Sequence, residues 1–308
     1  IVLTGSFVPL ANLTSILVGT KNVPVDKDTF MDSLSLPFSL AALTFPDFDP
    51  VIVQFGPLAI RWYALAYVIG LILGWQYCRW LTRQNYFGKG GSGITELQID
   101  DFLLWATLGV VLGGRLGYIL FYKPGYYLAN PIEIFYVWQG GMAFHGGLLG
   151  VIVAVFLFAR KYKISYFRIM DITAVATPIG LGLGRIANFI NGELVGRVTD
   201  VPWAVIFPRG GPDPRHPSQL YQAGLEGLLL LVVFFFLARG GALAYKGMMS
   251  GYFLLGYGLA RLVGELFRQP DAHLGFIFGP ITMGQLLSIP MVLGGLFLVY
   301  WSKAHKLA

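Results

Sequence analysis

The residues best suited to chemistry are cations in apolar surroundings. Arg61, Arg115, Arg185 and Arg261 fall within long apolar stretches of the 308-residue chain. A central arginine costs roughly 2.5–3.5 kcal/mol on insertion into a bilayer, so four cost on the order of 10 kcal/mol. A chain carrying that penalty is expected to use the charges, and the anion most abundant at such depth is a phospholipid phosphate. The densest run is Gly184-Arg-Ile-Ala-Asn-Phe-Ile-Asn-Gly-Glu-Leu-Val-Gly-Arg197. Arg185 and Asn188 share a helical face at i,i+3, and Asn191, Glu193 and Arg197 follow where the helix is expected to give way to a loop. A guanidinium fork binds phosphate or carboxylate bidentately, amides add neutral donors, and a glutamate orients an arginine or accepts a proton. The plainer reading is a polar cluster pinning one helix to its neighbours, but pinning seldom needs so many polar groups together.

Arg261 and Glu265, at i,i+4, read either as an intrahelical ion pair or as a second part of the same anion site. His145 stands between glycines in Gly140-Gly-Met-Ala-Phe-His-Gly-Gly147. Its exposed imidazole suits proton abstraction from a thiol or hydroxyl; the rival is a hydrogen-bonded interior histidine. His216, between Arg215 and Pro217, serves equally well as a loop anchor. Tyr63 and Tyr257 are candidate headgroup donors. The four histidines (145, 216, 273 and 305) lack ligand spacing and there is no cysteine pair, so no metal is expected. There is no phosphate-binding loop or dinucleotide fingerprint and no Gly-x-Ser-x-Gly in a fitting context, so no cofactor is expected either. Cys78, the only cysteine, sits among Tyr77, Arg79 and Trp80 and reads as a packing or lipid-facing thiol. Covalent thiol chemistry would have to come from a substrate.

These groups need membrane helices to hold them. Apolar residues make up 56% and charged residues 12% of the chain, against about a quarter charged in soluble domains. Seven segments are expected to cross a core that needs about 20 residues each: 57–81, 101–122, 142–160, 168–190, 217–238, 248–267 and 281–302. The predicted fold is therefore all-α and polytopic, with a loop over 191–216 between the fourth and fifth spans. Lys and Arg distribution orients it. One side holds Arg79, Arg83, Lys89, Arg160, Lys161, Lys163, Arg168, Arg239, Lys246, Lys303 and Lys306. The other holds Lys123, Arg197, Arg209, Arg215 and Arg268, plus Lys21 and Lys27 in the tail. The N-terminus is thus expected outside and the C-terminus, with the tail 303–308, in the cytoplasm. The net charge of +6 follows from this arrangement and does not point to nucleic acid. Residues 1–44 read as an N-terminal extension, with Met31 as an alternative start, and 45–302 as one domain.

Several motifs occur in a shared order: Phe45-Pro-Asp-Phe-Asp-Pro50, Trp62-Tyr63, Gly113-Gly-Arg-Leu-Gly-Tyr118, Gly141-Met-Ala-Phe-His-Gly-Gly147, the 184–197 run, Arg215-His-Pro-Ser-Gln-Leu-Tyr221, Phe267-Arg-Gln-Pro-Asp271 and Met283-Gly-Gln-Leu-Leu-Ser288. Together they resemble the bacterial prolipoprotein diacylglyceryl transferases, over most of 45–302. The resemblance implies a seven-helix enzyme of the bacterial plasma (inner) membrane, acting at its outer face. Such enzymes move the diacylglyceryl group of phosphatidylglycerol to the lipobox cysteine of a preprolipoprotein signal peptide and release glycerol phosphate. By motif position it implies His145, Arg185, Asn188, Glu193, Gly196, Arg261 and Glu265 as the important residues, with Tyr63 and Arg115 also in the site. Ala187 replaces a common glycine, and Gln222 stands where an acid is expected after the His-Pro-Ser-Gln-Leu-Tyr motif.

On this reading Arg185 and Arg261 hold the phosphate, Asn188 and Glu193 position the headgroup and Arg185, and His145 takes the thiol proton, with Glu193 or Glu265 as the rival base. Two other classes compete: an anion or lipid transporter, which needs access from both faces, and a non-catalytic membrane protein. The polar clusters gather toward one leaflet, which disfavours the first. The convergence of Arg, Asn, Glu and His disfavours the second.

Overall fold

With no water to take its backbone groups, an apolar run of about 20 residues closes its hydrogen bonds as a helix. The computed structural model describes residues 43–46, 48–55, 58–88, 90–270 and 275–304, so the extension through residue 42, with Met31, lies outside the described residues. Seven long helices occur there: α1 (Trp62–Thr82), α2 (Glu96–Tyr122), α4 (Phe144–Tyr162), α5 (Tyr166–Ile190), α6 (Ser218–Arg239), α7 (Met248–Phe267) and α8 (Met283–Lys303). A short helix α3 (Pro124–Ala129) lies in the connection after α2. Five of the long helices, α2, α4, α5, α6 and α8, are long and apolar enough to cross a membrane. The other two are of similar length but carry the groups that dilute their hydropathy: several aromatic rings and Arg79 in α1, and Arg261 with Glu265 in α7.

Local signals set the helix ends. Thr95 and Gln98 form a reciprocal capping box at the start of α2, with bonds of 3.2 and 2.9 Å, and Thr282 and Gln285 repeat it at α8. The first span starts later than expected, because β2 (Val51–Phe55) and β3 (Leu58–Arg61) pair as an antiparallel hairpin. Arg61 is therefore the last strand residue and is exposed, not a cation inside a helix. Two further strand pairs lie near the site. β1 (Leu43–Thr44) runs parallel to β4 (Val205–Ile206), and β5 (Phe276–Phe278) pairs with β6 (Ile281–Thr282). Phe45, just after β1, stacks between Phe189 and Phe207 at 5.4 and 5.3 Å.

α5 is the hub, packing against α1, α4, α6 and α7. Small residues bring the helices close. A Cβ on Gly150 of α4 would lie 2.0 Å from the carbonyl oxygen of Gly109 in α2, and one on Gly227 of α6 would lie 2.5 Å from the Cα of Gly182 in α5. At the end where α5 begins, Leu81, Phe158, Ile169, Phe234 and Met249 are almost wholly buried in one apolar cluster. Cys78 joins it as a buried packing thiol. There Asp171 accepts from the amides of Gly247 and Ser250, both at 2.8 Å, and so caps α7. This scaffold fixes α5 against α7, and the two helices carry Arg185 and Arg261 toward the opposite end.

Candidate active site

Arg185 lies in the last turns of α5 and points its fork at α6. Its Nε and Nη2 both donate to Glu226 Oε2 at 2.9 Å. Glu226 is wholly buried, and its other oxygen lies 3.7 Å from Arg261 Nη1 on α7. Arg261 Nη2 meets Glu265 Oε1 at 2.6 Å, and Arg268 Nη1 reaches the same oxygen at 3.1 Å. Thr282, the cap of α8, donates to Glu265 Oε2 at 2.8 Å. Arg197 binds backbone carbonyls of this corner, Glu265 at 3.2 Å and Arg268 at 3.1 Å. Among the described residues the chain Arg185–Glu226–Arg261–Glu265–Arg268 links three arginines through two carboxylates, with Arg197 beside it. Guanidinium forks gathered in this way have the geometry that suits a phosphate or carboxylate. Tyr257 of α7 places its hydroxyl near Arg185.

A second cluster adjoins it at the end of α5. Asn188 donates to Glu193 Oε1 at 2.8 Å and Asn191 reaches the same oxygen at 3.4 Å. Tyr63 of α1 contacts the Asn188 side chain, and its hydroxyl lies 3.1 Å from that of Tyr67. Glu193 is therefore not the partner of Arg185. Past Asn191 the chain turns through Gly192 and Leu194, both in the left-handed region at φ 62° and 55°, which folds the Glu193 carboxylate back on the two amides. Gln219 of α6 holds the turn by donating to the Glu193 carbonyl at 2.7 Å.

The other expected residues take separate places. Gly196 acts through its backbone: its amide donates to the His216 carbonyl at 3.1 Å, and a Cβ there would lie 2.2 Å from that oxygen. Arg115 of α2 is buried, but its fork is taken up by the carbonyls of Glu133, Ile134, Gly140 and Gly141 at 2.5–3.3 Å. It binds the connection around α3 to α2 and does not join the arginine chain. His145 is in the first turn of α4, exposed, with its ring edge-on to Phe144 at 5.6 Å. It makes no direct hydrogen bond to either cluster among the described residues. His216 is partly buried against Tyr221 and Phe267, and burial lowers its pKa below the ordinary imidazole value.

Sequence reasoning missed Glu226, Arg268 and Thr282. Glu226 had a readable signal, a carboxylate inside the apolar run of α6. Position 222, where an acid is expected, holds Gln222, and Glu226 lies one turn beyond it.

The fold and site define a helical membrane protein with a buried arginine–carboxylate chain opening beside an amide–carboxylate cluster. A family model described as prolipoprotein diacylglyceryl transferase matches residues 50–301. The chain is 60% identical to a phosphatidylglycerol–prolipoprotein diacylglyceryl transferase of Paramagnetospirillum magneticum, over 85% of this chain and 96% of that one. Proteins of the same name from Rhodospirillum rubrum (55% identical, 87% and 97% covered) and Nitrobacter winogradskyi (52%, 86% and 92%) are similarly close. The chain belongs to the prolipoprotein diacylglyceryl transferase family.

Proposed function

We propose that this protein transfers the sn-1,2-diacylglyceryl group of phosphatidylglycerol to the lipobox cysteine of a preprolipoprotein signal peptide, the first step of lipoprotein maturation. The observation that carries the reading is the buried Arg185–Glu226–Arg261 chain in a member of this family. All seven long helices span the bacterial inner membrane in this proposal, with the N-terminus outside, the C-terminus in the cytoplasm and the arginine end at the outer leaflet. The hydropathy of five helices and the Lys and Arg distribution support that topology.

Arg185 and Arg261 bind the lipid phosphate, whose oxygens compete with Glu226 for the two guanidinium groups. Asn188, Glu193 and Tyr63 orient the headgroup. The thiol is only a few per cent ionised near neutrality, so His145 takes its proton. The sulfur then bonds to the sn-3 carbon of the diacylglyceryl group, and the bond from that carbon to the phosphate oxygen breaks. The electron pair leaves with glycerol phosphate, whose growing charge the arginines stabilise in a low dielectric. Arg115 and Gly196 support the site by fixing the connection around α3 and the loop 191–216.

The test combines purified protein, labelled phosphatidylglycerol and a lipobox peptide. Thioether-linked diacylglyceryl peptide is the expected product, with glycerol phosphate released in equal amount. Unmodified peptide after prolonged incubation with folded protein would overturn the proposal.

A further inference from the structure

Three polar side chains near the start of α6, Gln219, Gln222 and Glu226, are each 0% exposed. Gln219 donates its N–H to the Glu193 carbonyl, and Glu226 Oε2 accepts from Arg185. Gln219 Oε1, both amide atoms of Gln222 and Glu226 Oε1 remain, and none has a hydrogen-bond partner among the described residues. Buried polar atoms are costly to leave unpaired. Gln222 and Glu226, four residues apart, share a helix face, and between them the backbone widens into the π-helical stretch Ala223–Leu229. Such widenings recur at functional sites. Across from Gln222, α7 carries Gly264. A Cβ there would stand 3.1 Å from Gln222 Cγ and 3.3 Å from Nε2, so the glycine leaves the amide its room. Arg261 Nη1 also lacks a hydrogen bond among the described residues and lies 3.7 Å from Glu226 Oε1.

We infer that Gln222, with Glu226 Oε1, binds the hydroxyls of a neutral polyol headgroup whose phosphate is held by Arg185 and Arg261. The inference rests on the proposed transfer from phosphatidylglycerol and names the part of that lipid the site selects. A vicinal diol brings two donors and two acceptors. Its donors satisfy Glu226 Oε1 and Gln222 Oε1, and one oxygen accepts from Gln222 Nε2. An ammonium headgroup offers donors alone, leaves Nε2 unpaired and meets Arg261. A headgroup without hydroxyls leaves all three atoms unpaired, which is how a hydrogen-bonding site rejects the analogue that lacks the group.

The test measures equilibrium binding of two short-chain lipids to the full chain in detergent micelles: phosphatidylglycerol, and phosphatidylpropanol, which lacks both headgroup hydroxyls. The wild-type protein is expected to prefer phosphatidylglycerol by about tenfold or more. Gln222→Met keeps length and volume but not the hydrogen bonds, and should bring the ratio to within about twofold of one. If thermal unfolding shows that variant misfolded, Gly264→Ala, which crowds the amide, should lower the ratio in the same way. A wild type that does not discriminate, or a folded variant with the wild-type ratio, overturns the inference. Because the readout is binding, a failure to form thioether sinks the proposed transfer and leaves this ratio to decide the headgroup site separately.

Discussion

Replacing Glu226 by glutamine removes one charge from the centre of the arginine chain while keeping its shape. The carboxylate is 0% exposed, receives two bonds of 2.9 Å from Arg185 and lies 3.7 Å from Arg261. Breaking a buried pair by neutralising one partner costs about 3–5 kcal/mol, because the other charge stays buried and uncompensated. Here two guanidinium groups lose the same partner, and an amide N–H is turned toward one of them, so the upper half of that range is expected. At the scaling of large domains this lowers the unfolding temperature by about 10 °C. Thermal unfolding in detergent gives the single-variant cost, and a cycle with Arg185→Gln isolates the pair. Removing Arg185 as well should recover part of the loss, with a coupling of about 1.5–3 kcal/mol. A Glu226→Gln protein that melts with the wild type, or strict additivity in the cycle, refutes the view that this carboxylate holds the two arginines together.

Arg185→Lys and Arg261→Lys keep charge but lose the fork, and each should cut transfer severely in a protein that still inserts; near-normal turnover by both would make these arginines structural. His145→Gln should lower turnover by about 10²–10⁴-fold. Its defect should shrink as pH rises toward the thiol pKa near 8.5, and a loss constant across pH would give the proton to Glu193 or Glu265. Gly150→Ala would drive a Cβ to 2.0 Å from the Gly109 carbonyl oxygen, so the folded yield should collapse; normal yield and melting would show that α2 and α4 can part without consequence. With Cys78 removed, Lys161→Cys should be shielded from impermeant thiol reagents in intact cells and Asp213→Cys labelled, and the reverse pattern would invert the topology.

The helices were legible because their cause is local. α7 occupies 248–267 as expected, since an apolar run has one way to satisfy its backbone. The Arg261–Glu265 pair was legible for the same reason, being four residues apart on one helix. The start of α1 was misjudged because a short hairpin of Val, Ile, Leu and Ala residues is as apolar as a helix end. The partner of Arg185 was not legible, because Glu226 lies 41 residues away and only the packing of α6 on α5 brings it near. Glu193 is the acid nearest Arg185 in sequence, but two left-handed residues, Gly192 and Leu194, turn it elsewhere. Arg115 shows the same limit: the helix was readable, but the carbonyls it binds belong to a connection without periodic pattern.

The pairing of β1 with β4 has a consequence for synthesis. Leu43 and Thr44 leave the ribosome early, yet their partners Val205 and Ile206 are made about 160 residues later. At 5–20 residues per second that is a wait on the order of ten to thirty seconds. During it α1, α2, α4 and α5 are all completed, so the segment ahead of α1 must stay available while four long helices assemble behind it. Phe45 can enter its place between Phe189 and Phe207 only once β4 has arrived. The strap that closes the loop-rich end is thus among the first parts of the described chain to be made, yet it can lock only after four long helices are complete.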